Sequence, residues 1–306
     1  MLSWRKDFRW SWRGVFYKET ETSILFSPSL AYDIYRWGVY TVIEKSRNLF
    51  RRKHTKIACF PKPIRPWYML WAILTRSDIR ISGPGKVEDA DFAIYFYDST
   101  LTSPPAPPQT RKDLNFDCKD ISKSTVSNIF EEVFGYDLTV NPTTYSGKMV
   151  VKSEKNGAHD GRIVQGPTKL DENLVYQRII NNETDDDHVR DLRCPMLFGK
   201  PIITFIKERP VGERFKNSNS RCSLADPNDL FSEDELAKIS RFCQKMKLDF
   251  GGIDILRDND SGRIYIVDVN KTDMGPPMAL SLKEKLKSVD IMARAFNAAF
   301  PPTKEG

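Results

Sequence analysis

The sequence predicts an α/β (α+β) protein of more than one domain, and three observations carry that expectation. Short β-rich runs alternate with helical apolar periodicities along the 306 residues. A proline-dense segment, Thr100 to Thr110 (TLTSPPAPPQT), divides two stretches of different composition. Two strand-like runs, Phe250 to Arg257 and Arg263 to Asn270, flank the strong turn signal Asp258-Asn259-Asp260-Ser261-Gly262. Hydrophobic residues make up 40% of the chain and aromatics 11%, enough apolar material to offset chain entropy and exclude wholesale disorder. The longest apolar run, Trp67 to Leu74, falls far short of the roughly 18–20 residues that cross a bilayer, and no charged-then-apolar signal segment opens the chain. A soluble, cytoplasmic protein is expected. The five cysteines, Cys59, Cys118, Cys194, Cys222 and Cys243, are scattered without a CxxC pair, so they read as reduced, buried apolar residues rather than a disulfide framework or zinc site.

The formal charge of +6 hides an asymmetry. Residues 1–112 hold 19 Lys/Arg against 10 Asp/Glu (+9), and the remainder holds 28 against 31 (-3). All six tryptophans lie in the basic part: Trp4, Trp10, Trp12, Trp37, Trp67 and Trp71. Leu2 to Lys18 is dense in Trp, Phe and Arg with neither period. Ala31, Ile34, Tyr35, Gly38, Val42 and Leu49 fall at helical offsets, predicting a helix over 30–50 that ends in Arg51-Arg52-Lys53-His54. Lys56 to Phe60 and Asp91 to Asp98 read as buried strands, with a helix from Trp67 to Thr75 between them: a small α/β layer. Pro104, Pro105, Pro107 and Pro108 remove amide donors and favour extended geometry, which places a linker there and a domain over 1–112.

Beyond the linker, a helix is expected over Ser122 to Phe134, then a strand Lys148 to Lys152, a loop Ser153 to Gly161, and strands at Arg162 to Gln165, Leu174 to Ile180 and Pro201 to Lys207. Ser232 with Glu235 three residues on is a capping-box start, and Leu236, Ile239, Cys243 and Met246 form the stripe of the helix it opens. A last helix spans about Leu280 to Phe300.

The paired runs near the end carry the chemistry. Residues two apart on a strand share a face, so Asp268 and Asn270 point together, and a hairpin sets Asp254 beside them. Two carboxylates and an amide oxygen make a hard-oxygen cluster suited to Mg²⁺ and substrate phosphates; the plainer reading is a hairpin with a wet face.

This segment resembles the metal-binding end of the ATP-grasp superfamily, and the chain from about 113 to 280 is similar to that family in order. The resemblance implies an ATP-grasp fold of two α+β subdomains enclosing ATP, over 113–180 (with a flap) and 181–306 (with the metal site), preceded by the basic 1–112 domain. It implies Mg²⁺ on Asp254, Asp268 and Asn270. Lys123, after Asp120-Ile121-Ser122, looks like the first nucleotide-binding lysine, and Lys152, ending Met149-Val150-Val151, like the lysine on the α- and β-phosphates. Gly157 falls in the segment similar to the triphosphate flap, Gln177 and Ile179 in the strand similar to the adenine-lining hinge, and Lys207 among the nucleotide contacts. Asp191-Leu192-Arg193 looks like the DxR segment of the amino-acid-ligase branches, with Arg193 near the transferred phosphate; Arg214 and Asn217 match further active-site positions more loosely. Two departures stand out. Asp268 replaces the usual Glu, and Lys271-Thr272-Asp273-Met274 replaces the usual small residues.

The implied activity is an ADP-forming ligase joining a carboxylate, activated as an acylphosphate, to an amine. The alternatives are a kinase acting on an inositol or sugar phosphate and a nucleotide-binding scaffold without turnover. The expected partner is a small-molecule or anionic carboxylate acceptor. His159 and Asp185-Asp186-Asp187 read as solvent-facing loop residues. The pI of 8.9 and absence of a binding motif argue against nucleic acid. Peripheral membrane or polymer contact through Leu2 to Phe16 is the weaker alternative to tryptophans that simply pack the first domain. No sequence feature bears on oligomeric state.

Overall fold

A computed structural model of the chain describes residues 6–18, 22–82, 90–216 and 219–301. Two compact units emerge, one of Met1–Ser99, Pro108–Asp113 and Met274–Gly306, the other of Thr100–Pro107 and Leu114–Asp273.

The first unit opens with an antiparallel sheet of β1 (Phe8–Trp10), β2 (Gly14–Tyr17) and β3 (Thr22–Leu25), in that order. Helix α1 (Pro28–Arg47) begins where Ser27 accepts a hydrogen bond from the Leu30 amide (3.1 Å), with Pro28 in the first turn, where its missing N–H is harmless. It stops at Asn48, whose amide turns back to the Lys45 carbonyl, so the helix is shorter at its end than the apolar spacing predicts. Strands β4 (Thr55–Phe60), β5 (Ile79–Ser82) and β6 (Phe92–Tyr95), with helix α2 (Met69–Arg76) between the first two, form the expected α/β layer. β4 pairs in parallel with both neighbours, Ile57 opposite Ile81 and Cys59 opposite Ile94, and β7 (Lys112–Leu114) completes the order β5-β4-β6-β7.

The second unit holds α3 (Lys123–Phe134), capped by Ser122 and closed by Gly135 at φ 77°, a left-handed position that suits glycine. Its smaller antiparallel sheet has the order β10-β8-β9, from β8 (Gly147–Ser153), β9 (Arg162–Gly166) and β10 (Leu174–Arg178), built over Met149, Val151 and Tyr176. The larger sheet comprises β11 (His188–Leu197), β12 (Lys200–Pro201), β13 (Thr204–Pro210), β14 (Arg221–Ala225), β15 (Phe250–Arg257) and β16 (Ile264–Asn270), ordered β14-β13-β11-β15-β16 with β12 on β11. A short α4 (Pro227–Leu230) precedes α5 (Glu233–Lys245), whose capping box has both halves in place. One face of the large sheet (Leu192, Cys194, Ile253, Ile255) packs with α3 and α5 through Phe130, Ile239 and Phe242. The opposite face carries the polar residues that matter below.

Helix α6 (Leu282–Ala299) starts at a second capping box, Ser281 with Glu284, and packs in the first unit through Leu286 and Val289 against Tyr40, Ala72, Trp37 and Trp71. The sequence reading put 274–306 in the last subdomain; the apolar face of α6 joins it to α1 and α2 instead. The proline-rich stretch from Thr102 to Thr110 forms no helix or strand and is split between the two units. Of the tryptophans, Trp37, Trp67 and Trp71 are packed, whereas Trp10 is 57% and Trp12 82% exposed; Trp4 lies outside the described residues. Four of the cysteines are buried and Cys222 is half-buried.

Candidate functional site

Three neighbouring strands place Arg193, Asp254 and Asp268 in one row. Arg193 of β11 stands opposite Asp254 of β15, and Asp254 opposite Asp268 of β16, so all three share the sheet face away from the core. The ladder slips after Asp254, leaving Val267 without an opposite partner and turning its carbonyl to the Lys152 ammonium (3.1 Å).

Charge pairing within the row is dense. Arg193 donates from Nη1 to Asp254 (2.8 Å) and from Nη2 and Nε to Asp273 (2.9 and 3.2 Å). Lys207 of β13 donates to the other Asp254 oxygen (3.1 Å), and Lys123, at the first turn of α3, pairs with Asp268. Four cations (Lys123, Lys152, Arg193, Lys207) thus meet three carboxylates (Asp254, Asp268, Asp273), a local excess of one positive charge that suits a polyanion. Burial would raise the Asp254 carboxyl, but Arg193 and Lys207 outweigh it and hold the group well below the usual range. Burial would likewise lower Arg193, and Asp254 and Asp273 keep it firmly charged. Among the described residues Lys152 has no carboxylate in hydrogen-bond reach; burial, reinforced by Lys123, pulls its ammonium down to about 8. A half-buried cation held near other cations gains most from an anion bound beside it.

Gly252 makes the row feasible. A Cβ there would lie 2.6 Å from Arg193 Nε and 2.6 Å from Asp273 Oδ2, so only glycine lets the guanidinium lie against β15. Asp273 Oδ2 is buried and accepts no hydrogen bond among the described residues. The donor set, two facing carboxylates with an orphaned carboxylate oxygen nearby, fits a hard divalent cation, which commonly takes one or two carboxylates and keeps waters. No group of three or more His, Cys, Asp or Glu arranged to hold a metal occurs among the described residues.

The loop between β8 and β9 leans over this face. Glu154 accepts from the Ser124 amide (3.0 Å) and hydroxyl at the start of α3, the Asn156 amide donates to Thr100 (2.8 Å), and Gly161 abuts the Phe215 ring. His159, at φ 51°, lies in this loop with its side chain exposed.

The remaining sequence-derived residues are engaged in other contacts. The Asn270 amide oxygen accepts from the Thr272 amide (2.8 Å) and hydroxyl (3.1 Å), so both lone pairs serve its own loop. Arg214 binds the Ile180 carbonyl (3.2 Å), Asn182 (2.6 Å) and Glu183 (2.8 Å), which fixes the segment after β10. Gln177 is buried on β10 and donates to Ser127 of α3 (2.8 Å), while Ile179 follows that strand, half-buried. Gly157 sits at φ 70° with open space around it. Asn217 lies outside the described residues. Sequence reasoning missed Asp273, Gly252 and Lys271. The Lys271 chain is buried and donates to Thr102 (3.1 Å) and the Cys118 carbonyl (3.2 Å), anchoring the segment that presents Asp273.

No protein-family model matches the chain, and a comparison with curated proteins returns no match. Among solved structures, the ATP-grasp ligase PsnB complexed with minimal precursor aligns at 14% identity over 60% of this chain and 65% of its own, TM-score 0.39. D-alanine--D-alanine ligase from Bacillus anthracis complexed with ATP aligns at 16% identity over 78% and 95%, TM-score 0.47. The VanG D-Ala:D-Ser ligase from Enterococcus faecalis aligns at 10% over 79% and 100%, TM-score 0.46. This chain spans less than two thirds of the PsnB chain in that first alignment.

Proposed function

We propose that the chain is an ATP-grasp enzyme, an ADP-forming ligase that activates a carboxylate as an acylphosphate and transfers it to an amine. The observation that carries this reading is the row Arg193–Asp254–Asp268, met by Lys123, Lys152 and Lys207 from three further elements. The series of motifs from Lys123 to Asn270 supports the same reading, because each falls in the order that the family resemblance requires.

On this proposal Lys152 and Lys123 hold the α- and β-phosphates as point charges, and Lys207 lies among the nucleotide contacts. The Arg193 fork, braced from behind by Asp273, faces the phosphoryl group in transfer. Asp254 and Asp268, with Asn270, are the residues that would hold Mg²⁺. Bound there, the cation would offset charge on the phosphates. Lys123 and Lys207 pair with these carboxylates in the structure and would contact phosphates bound on the same face. The β8–β9 loop, latched through Glu154 and packed on Phe215, excludes water from the acylphosphate. The carboxylate oxygen attacks the γ-phosphorus and ADP leaves; the amine then displaces phosphate at the acyl carbon.

The test is incubation of the chain with ATP, Mg²⁺, a panel of carboxylates and hydroxylamine. Carboxylate-dependent ADP and a hydroxamate are expected. AMP with pyrophosphate, or a stable phosphoester formed without any amine, contradicts the ligase assignment.

A further inference from the structure

We propose that the outward face of α1, with the aromatic β1–β2 ribbon before it, is a docking surface for an anionic lipid bilayer. The inference is independent of the nucleotide site.

Large exposed apolar side chains are concentrated in one stretch of the chain. Fifteen occur among the described residues, and ten of these fall between Trp10 and Phe50. On α1, Tyr32 (61% exposed), Tyr35 (67%) and Val42 (68%), with Val39 half-buried among them, fall within an arc of roughly 80° at about 100° per residue. The packed face, Tyr40, Trp37 and Glu44, lies on the other side against α2 and α6. The helix is therefore apolar on two faces, and its own unit covers only one. Just past its end Leu49 is 72% and Phe50 93% exposed, followed by Arg51 and Arg52, both exposed.

Charge identifies the occupant. Residues 28–54 contain six Lys/Arg and two acidic residues; Arg47 is paired with Glu44 and Asp290, Arg51 with Asp78, and Lys53 donates to four backbone carbonyls, which leaves Arg36, Lys45 and Arg52 with no carboxylate partner among the described residues. Residues 6–18 add four Lys/Arg against one Asp. Cations and aromatics are presented together: the Arg13 guanidinium lies 4.4 Å from the Trp12 ring centroid and that of Arg36 5.6 Å from Tyr32. A nucleic acid would answer the arginines but leave Val42 and Leu49 unmatched. An apolar protein partner would answer Val42 but not the cationic surround. An anionic bilayer answers both, with acyl chains for the aliphatics, headgroup phosphates for the arginines, and the boundary between them for Tyr and Trp. No helix among the described residues is long and apolar enough to cross a membrane, so the attachment is peripheral.

The experiment is cosedimentation of the full chain with phosphatidylcholine vesicles made with and without phosphatidylserine, at low and high salt. Binding to the phosphatidylserine vesicles, weakened by salt and reduced about tenfold by Tyr35→Glu/Val42→Glu and by Arg51→Gln/Arg52→Gln, is expected. Circular dichroism and the thermal midpoint confirm that each variant folds. Four results overturn the proposal: no cosedimentation; equal binding to neutral vesicles; wild-type binding by both folded variants; or a dimer, broken by Val42→Glu, in a chain that ignores lipid.

Discussion

Replacing Gly252 by alanine tests whether the Arg193 row depends on the close approach of β15. The new methyl would stand 2.6 Å from Arg193 Nε, 2.8 Å from its Cζ and 2.6 Å from Asp273 Oδ2, where ordinary contact begins at 3.4 Å. The difference, 3.4 less 2.6, is a displacement of about 0.8 Å. Moved that far along its bonds, the guanidinium stretches its 2.8 Å link to Asp254 to about 3.6 Å, beyond hydrogen-bond reach. Overpacking of this kind costs about 1–3 kcal/mol, and loosening a buried ion pair adds to it, so a loss of roughly 2–4 kcal/mol is expected. Urea unfolding followed by circular dichroism reads it, with Gly212→Ala as control, since a Cβ at Gly212 meets nothing within 4 Å. If Gly252→Ala and Gly212→Ala both stay within about 0.5 kcal/mol of the wild type, the glycine does not make room for the row and the reasoning fails.

Gly38 sits inside α1 with open space around its Cα, so Gly38→Ala is expected to stabilise the first unit by about 0.5–1 kcal/mol; a lower unfolding midpoint would contradict this. Glu44 is fully buried, and burial raises its carboxyl pKa despite the opposing charge of Arg47 at 2.9 Å. Because the folded pKa lies above the unfolded one, its stabilising contribution is full below about pH 4.5 and is lost as pH rises through the folded value. Glu44→Gln removes that dependence, so its stability relative to wild type should climb with pH in a urea series; a constant difference counts against the assignment. His159→Ala should leave nucleotide affinity within about twofold, as suits an exposed loop ring, whereas loss of binding in a titration would make it a ligand.

Local signals in the sequence were sufficient for much of the second unit. Ser122 and Gly135 bound α3, Ser232 and Glu235 open α5, and the Asp-Asn-Asp-Ser-Gly turn sets β15 beside β16, because capping and turn chemistry act within a few residues. Strand β11 was illegible for a physical reason. Its Arg190, Asp191 and Arg193 break the apolar pattern, yet they are matched by Glu208, Arg209 and Asp254 on neighbouring strands. Strand β1 was hidden because Phe8-Arg9-Trp10 is only three residues long and has no buried side chain to mark the period. Asp254 and Asp268 could be paired from spacing alone, since they lie on strands joined by a tight turn. Asp273 could not, because its partner Arg193 is 80 residues away. The engagement of Asn270 by Thr272 and of Arg214 by Asn182 likewise depends on loops whose paths no periodicity records. The membership of α6 in the first unit rests on its packing against α1 and α2, a long-range pairing with no local signature.

The central claim is that the face bearing Lys152, Arg193, Asp254 and Asp268 binds ATP with Mg²⁺. Calorimetric titration of ATP into the full chain, with and without Mg²⁺, measures it directly when repeated with Lys152→Met. Among the described residues Lys152 donates only to the Val267 carbonyl, so its removal leaves no carboxylate unpaired and reports on the ligand. Loss of a charge-assisted contact of about 1.5–3 kcal/mol corresponds to roughly tenfold or more in affinity. Saturable, Mg²⁺-dependent binding that weakens by at least that factor in Lys152→Met is the expected result. Absence of binding to the wild-type chain, or equal affinity in the folded variant, contradicts the account.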